Sequence, residues 1–371
     1  MVLLLDRAET RHRIDTQRGL EAMANAFKET VENPTANGLR QRHYTYNEDG
    51  LSTARANVFS ALSPSRGYAG VRARMDTVDG DRLAQAGVID NADTFDPIDE
   101  GPATKPKGAY LLFDVDTTEL VSIQYENAAD DPLPSERFEN AGANRTALNT
   151  TLGVSRLARP DATRLGFLGS GRFAPAHVAA LGEVLPQLER IDIYSPTPEH
   201  RESFARRADA NLAQDVTAVS SARAAVESAD VVVACTNSTD PVLDGEWLSP
   251  GTTVASLVGM EKHVGHRDEH FTATEVDDTT IERADIVACN SIGQAKQDEQ
   301  GVLWERVQRG VLAWNEVREL GEIVIDDDPR SDPSEIAYFH NNGGQGIADL
   351  AVAIEHYEVA QAEDIGTTLP L

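Results

Sequence analysis

Two rhythms of apolar residues divide the chain, and the change from one to the other falls near residue 150. Before it the pattern is mixed: a helical period over 16–31, then short strand-like stretches at 68–74, 109–115 and 120–125. The last two flank the polar turn Asp116, Thr117, Thr118 and Glu119 and predict a β-hairpin. Residues 76–107 are rich in Asp, Gly and Pro and predict a surface excursion. Beyond 150, apolar runs at 165–168, 191–194, 231–235, 253–258 and 286–289 alternate with helical segments. Strands that are apolar on both faces need cover on both sides, so this half predicts a parallel sheet clad in helices, leaving that unit near residue 330. A final helical face of Ile347, Leu350, Ala351, Ile354 and Tyr357, limited by Gly346 and Gly366, is expected to pack back on the first part of the chain.

The first apolar run of the second half leads straight into Gly169, Ser170, Gly171, Arg172, Phe173 and Ala174, a G-x-G-x-x-A pattern. A dinucleotide pyrophosphate requires a tight turn, a backbone it can approach closely and the free N–H groups of a helix N-terminus, which two glycines and a small sixth residue supply. The pattern opens a predicted helix over 176–188 and is followed by a second strand, which is the context the fingerprint needs. It predicts binding of NAD or NADP. An acid at the end of the second strand ordinarily takes the ribose hydroxyls of NAD. Here that end is Tyr194, Ser195, Pro196 and Thr197, and Asp192 comes too early in the strand. Ser195, Thr197 and Arg201 suit a 2′-phosphate, which tips the expectation slightly to NADP.

Composition adds two constraints. There are 61 acidic residues against 33 Lys and Arg, a formal net charge of −28 spread along all 371 residues, and only five of the basic residues are lysine. Such self-repulsion is relieved by salt, so the balance predicts a protein of a saline cytoplasm and argues against a nucleic-acid partner. No apolar run approaches a membrane span, and the short run at 2–5 has no basic lead, so no membrane association is expected. Cys235 and Cys289 each close an apolar run and predict small buried residues, with neither a disulfide nor a metal site.

Several segments, in this order and spacing, resemble the ornithine cyclodeaminase and mu-crystallin family over nearly the whole chain. They are Asn144-Arg145-Thr146-Ala147; Leu157-Ala158-Arg159-Pro160-Asp161-Ala162; Ala234-Cys235-Thr236-Asn237-Ser238 with Pro241; Glu275-Val276-Asp277; and Asn341-Asn342-Gly343-Gly344-Gln345-Gly346-Ile347-Ala348-Asp349-Leu350. The resemblance implies a Rossmann-type doubly wound domain over 151–330. It also implies an α+β substrate and dimerisation domain built from both chain ends, 1–150 and 331–371. It further implies a homodimer acting on a small amino or imino acid with a nicotinamide cofactor, while the want of a membrane-span or signal-peptide pattern leaves a cytoplasmic location as the expectation.

By the same resemblance, Arg145 binds a substrate carboxylate, and Thr146, Thr236, Asn237 and Ser238 join the glycine loop in the cofactor site. Arg42 corresponds to a second carboxylate-binding arginine, with Arg40 and Arg55 as close rivals. Asp277 takes the place of the family's catalytic aspartate, with Asp278 or Asp268 as the alternatives if the alignment slips. One departure stands out: where many members carry an active-site lysine after a Gly-hydrophobic pair, this chain has Gly70, Val71 and then Arg72. Arginine binds carboxylates but gives up no proton at ordinary pH, so lysine-dependent chemistry is not inherited. The expected activity is therefore interconversion of an amino acid with its imino or keto acid. Redox-neutral cyclisation of ornithine and a non-catalytic ligand-binding role are the alternatives.

Overall fold

The computed structural model describes residues 1–6, 9, 14–48, 51–77, 108–126, 145–171, 173–238, 240–257, 274–299 and 301–370. The expected excursion at 76–107 lies almost wholly outside them. Fifteen strands are described, in two sheets. The first contains β1 (Val2–Leu5), β2 (Gln41–Tyr46), β3 (Ser52–Ser63), β4 (Tyr68–Thr77), β5 (Gly108–Asp114), β6 (Leu120–Glu126) and β15 (Thr367–Leu369), in the order β15-β1-β6-β5-β4-β3-β2. Its β5–β6 pair is the expected hairpin, and Asp114 accepts the Thr117 N–H at 2.7 Å to close the turn.

The second sheet holds β7 (Arg164–Leu168), β8 (Arg190–Tyr194), β9 (Asp215–Ala218), β10 (Val231–Ala234), β11 (Thr253–Ser256), β12 (Ile286–Cys289), β13 (Val317–Glu319) and β14 (Ala337–His340). Every pairing in it is parallel. Its order, β9-β8-β7-β10-β11-β14-β12-β13, runs outward in both directions from β7 and β10. This is the doubly wound arrangement expected, with its switch point beside the loop that follows β7. Residues 165–168 and 231–234 are fully buried, as cover on both faces requires.

The expectation that the chain leaves this sheet near residue 330 is corrected: β14 lies between β11 and β12, in register with both. It is entered from the polar stretch at 326–335 and left through the Asn- and Gly-rich turn at 341–346, so nothing local says between which strands it pairs.

Ten helices are described. They are α1 (Thr16–Glu32), α2 (Arg145–Leu157), α3 (Ala174–Val184), α4 (Pro198–Asp209), α5 (Ala222–Val226), α6 (Asp278–Glu282), α7 (Ile292–Asp298), α8 (Gly301–Gln308), α9 (Leu320–Ile325) and α10 (Gly346–Ala362). The final helix does return, packing on α1 and on β3, β4 and β5. It is buried on nearly every side rather than on one face, because α1 and α2 cover what the first sheet leaves open. No helix among the described residues is long and apolar enough to cross a membrane. Both cysteines are buried free thiols.

Candidate functional site

The glycine loop joins the carboxyl end of β7 to α3. Gly169 takes φ +123°, and a Cβ there would drive into the Cys235 carbonyl, so only glycine permits the turn. At Gly171 a Cβ would meet nothing within 4 Å. The two glycines thus serve different ends: one is required by the protein's own packing, and the other leaves an open backbone where a ligand can approach. Phe173 caps α3 without a side-chain hydrogen bond, but Ala174 N–H donates to the Gly171 carbonyl at 3.1 Å, Pro175 has no N–H and His177 N–H donates to the Phe173 carbonyl at 3.3 Å, so the first turn of α3 has few donors left for an anion. Arg172 lies outside the described residues.

Ser170 Oγ donates to Ser195 Oγ at 2.9 Å, which ties the loop to the end of β8. Arg201 donates to the carbonyls of Ser195 (3.0 Å) and Pro196 (3.3 Å) and lies over the Tyr194 ring. Thr197 caps α4. Asp192 is buried in mid-strand and paired with Arg164 and Arg190, so it is not presented to a ribose. Next along the edge, Thr236 donates through both its N–H and its hydroxyl to Glu275 (2.6 and 2.9 Å), whose other oxygen accepts Leu257 N–H at 2.7 Å. Ser238 folds back on Thr236 and on the Asp240 carbonyl, leaving Asn237 exposed at the tip. Glu275, fully buried, is thus the clasp between the ends of β10 and β11, a role its place in the Glu-Val-Asp segment did not reveal.

The candidate substrate arginines gather where α10 begins. Arg72 is 3% exposed; it stacks over the Phe59 ring at 5.1 Å and lies 3.5 Å from Asp349. Arg145 opens α2 and reaches the same Asp349 oxygen at 2.9 Å. Two guanidiniums from different elements therefore converge on one carboxylate. Beside them the buried Tyr110 phenol, level with Arg72 on the adjoining strand, has no hydrogen-bond partner among the described residues. Its pKa is raised by burial and then by Asp349, with Arg72 opposing, so it stays protonated. Asp349 and Tyr110 were not singled out from the sequence: an acid among 61, and a tyrosine in a strand, carry no local mark.

Arg42 and its rival Arg40 both pair with Asp298, at 3.3 and 2.5 Å. Only Arg40 also reaches the turn before α10, donating to the Gly343 carbonyl at 3.2 Å, so Arg40 is the better placed of the two. Arg55 stands four residues behind Phe59 on β3, level with Tyr44.

Asp277 is placed elsewhere. Its Oδ1 accepts Gly245 N–H (3.1 Å), Thr280 N–H (2.9 Å) and the Thr280 hydroxyl (2.7 Å), capping α6 and pinning it to the turn at Gly245–Trp247. Through that oxygen Asp277 holds a helix end, a structural role that the reading of it as the catalytic aspartate did not include. Asp278 pairs with Arg306 and Arg309, and Asp268 lies outside the described residues.

The profile of the ornithine cyclodeaminase/mu-crystallin family matches residues 139–364. The chain belongs to that family. It is similar to Δ1-pyrroline-2-carboxylate reductase of Paracoccus denitrificans, 32% identical over 67% of this chain and 71% of that one. Other relatives are matched over 64% of their own length. Among solved structures, Δ1-pyrroline-2-carboxylate reductase of Thermococcus litoralis, in complex with NADH and L-proline, superposes with a TM-score of 0.76 at 21% identity. That match covers 99% of this chain and all of the other. Iminosuccinate reductase of Paracoccus denitrificans, in complex with NAD+, gives 0.75 at 21% identity over 100% and 99%. At that identity the two share the family fold with this chain.

Proposed function

We propose that the protein is an NAD(P)-dependent oxidoreductase that interconverts an amino acid with its imino or keto acid. The observation that carries this reading is an open glycine loop at the carboxyl end of β7 leading into α3, which is hydrogen-bonded through His177 and Thr150 to α2, the helix opened by the Arg145 that meets Arg72 at Asp349. The residues fit a dinucleotide: Gly171 leaves room for the pyrophosphate at the start of α3, and Ser170 and Ser195 flank the ribose side. A nicotinamide bound there supplies or accepts hydride at the substrate α-carbon.

Arg145 meets Asp349 through one nitrogen, and a guanidinium has five N–H donors, so Arg145 retains capacity for a substrate carboxylate. Fixing that carboxylate orients the α-carbon, and the low exposure of Arg72 and Phe59 keeps water from the reacting bond. NADP is the preferred form, since Asp192 is engaged by two arginines while Ser195, Thr197 and Arg201 stand at the strand end.

The unit built on the first sheet is assigned to substrate binding and dimerisation. Its face away from α10 carries Leu4, Val71, Leu111 and Ile123 in one cross-strand row and Val58, Ala73, Ala109 and Tyr125 in the next. These side chains are half-buried or exposed in the single chain and suit a second copy.

The deciding experiment presents cyclic imines, beginning with Δ1-pyrroline-2-carboxylate, together with NADPH or NADH in molar salt and follows the nicotinamide absorbance. Net oxidation of the cofactor supports the reading. Conversion of ornithine without net cofactor change supports the cyclodeaminase alternative, and silence with every imino and keto acid sinks the oxidoreductase.

A further inference from the structure

The glycine loop and the substrate side are joined by a hydrogen-bonded path whose donors can be assigned one by one. The Phe173 carbonyl can only accept, so His177 Nδ1, 2.7 Å away, carries a proton and donates. The ring is fully buried, and desolvation pushes its pKa down to about 4, so Nε2 is left bare and needs a donor. Thr150 Oγ, at 3.1 Å, is that donor. The Thr146 carbonyl, which the Thr150 hydroxyl could otherwise serve, already receives one N–H of Asn341 at 3.1 Å. The second N–H of Asn341 goes to Thr150 Oγ at 2.8 Å. Asn341 Oδ1 then accepts Gly343 N–H at 3.1 Å, and the Gly343 carbonyl accepts from Arg40 at 3.2 Å. Phe173, His177, Thr150, Asn341, Gly343 and Arg40 thus form one directed chain that passes through the first turns of the helix carrying Arg145.

We propose that His177, as the Nδ1–H tautomer, is a positioning residue that locks the closing end of the dinucleotide loop to Asn341 and the helix of Arg145, so that cofactor binding and substrate-side geometry are set together. This rests on the nicotinamide reading of the glycine loop. A residue that merely filled space at Thr150 would not affect a ligand bound beyond His177. In a connected chain, loss of the Thr150 hydroxyl frees His177 Nε2, loosens the hold on Phe173 and weakens a ligand that Thr150 never touches.

The test is a double-mutant cycle in the affinity for NADPH and NADH, read by nicotinamide fluorescence without substrate. Thr150→Val keeps the shape and removes the donor; it is expected to weaken binding at least five-fold, and Thr150→Ser to restore it to within two-fold. His177→Asn is expected to weaken binding similarly, and adding Thr150→Val to it to change affinity by less than two-fold. Long-range proton–nitrogen spectra of the wild-type protein should contain one imidazole protonated at Nδ1 that is missing from His177→Asn. Wild-type affinity in Thr150→Val, fully multiplicative effects in the double variant, or a His177 protonated at Nε2 would each overturn the proposal. Gly171→Val separates the two levels of argument. If it binds both cofactors undiminished, or if the wild-type protein binds neither, the nicotinamide reading falls and takes this one with it. If it binds neither while Thr150→Val is unimpaired, only the chain through His177 is lost.

Discussion

At the scale of single residues, what decides function is which positions the protein needs for itself and which it leaves for something else. Gly171→Val should leave the melting temperature within a few degrees of wild type, because a side chain there meets nothing, yet remove measurable NADPH and NADH binding. Gly169→Ala should instead unfold the loop, since its positive φ and the Cys235 carbonyl both exclude a Cβ. Calorimetric titration alongside a thermal melt distinguishes the two. Arg72 is buried against Phe59 and Asp349, so it is no idle surface arginine. Arg72→Ala should raise KM for the imino acid at least ten-fold, whereas Arg72→Lys should keep part of the binding and add a pH dependence from a titratable ammonium. Steady-state kinetics across pH check this; unchanged constants in both variants would put Arg72 outside the site. The glycine loop was legible in the sequence because its chemistry is local. Asp349, Tyr110 and His177 were not, because each matters only through partners far along the chain.

At the scale of elements, legibility followed periodicity and broke down where a segment borrows its structure from neighbours. The first helix, the hairpin and five strands of the parallel sheet announced themselves by pattern, while β14 and β2 depended on strands already in place. Asp277 shows the same limit from the other side: the family-like segment located it, but its hold on a helix end is set by Gly245 and Thr280. As an N-cap, Asp277→Asn should retain turnover to within a few-fold, because asparagine caps nearly as well. Asp277→Ala should lose about 1 kcal/mol of stability, with KM unchanged. Urea unfolding and kinetics on the two variants check this, and a hundred-fold loss of turnover in Asp277→Asn would place the residue in the reaction.

At the scale of the whole molecule, the charge balance and the buried histidines act on stability in opposite ways. With a net charge of −28, the melting temperature should rise markedly from dilute buffer to molar salt, and a flat response would favour ordinary acidity. In molar salt, where that repulsion is screened, pH isolates the histidines. His177, His340 and His356 are each pushed down to about 4, chiefly by burial, against about 6.5 in an unfolded chain. The unfolded state therefore binds protons that the folded state refuses; their contribution is complete above pH 6.5 or so and is lost as pH falls toward 4. Melting curves should be level from pH 7.5 to about 6.5 and decline from there to pH 4.5. The insertion of β14 between β11 and β12 also bears on how the protein is made. During synthesis these two strands emerge long before the strand that separates them, and until residue 340 has left the ribosome each presents an unpaired apolar edge. Nascent chains arrested before β14 should thus be the most aggregation-prone and the most dependent on chaperones, and closure of the sheet should await nearly the whole polypeptide.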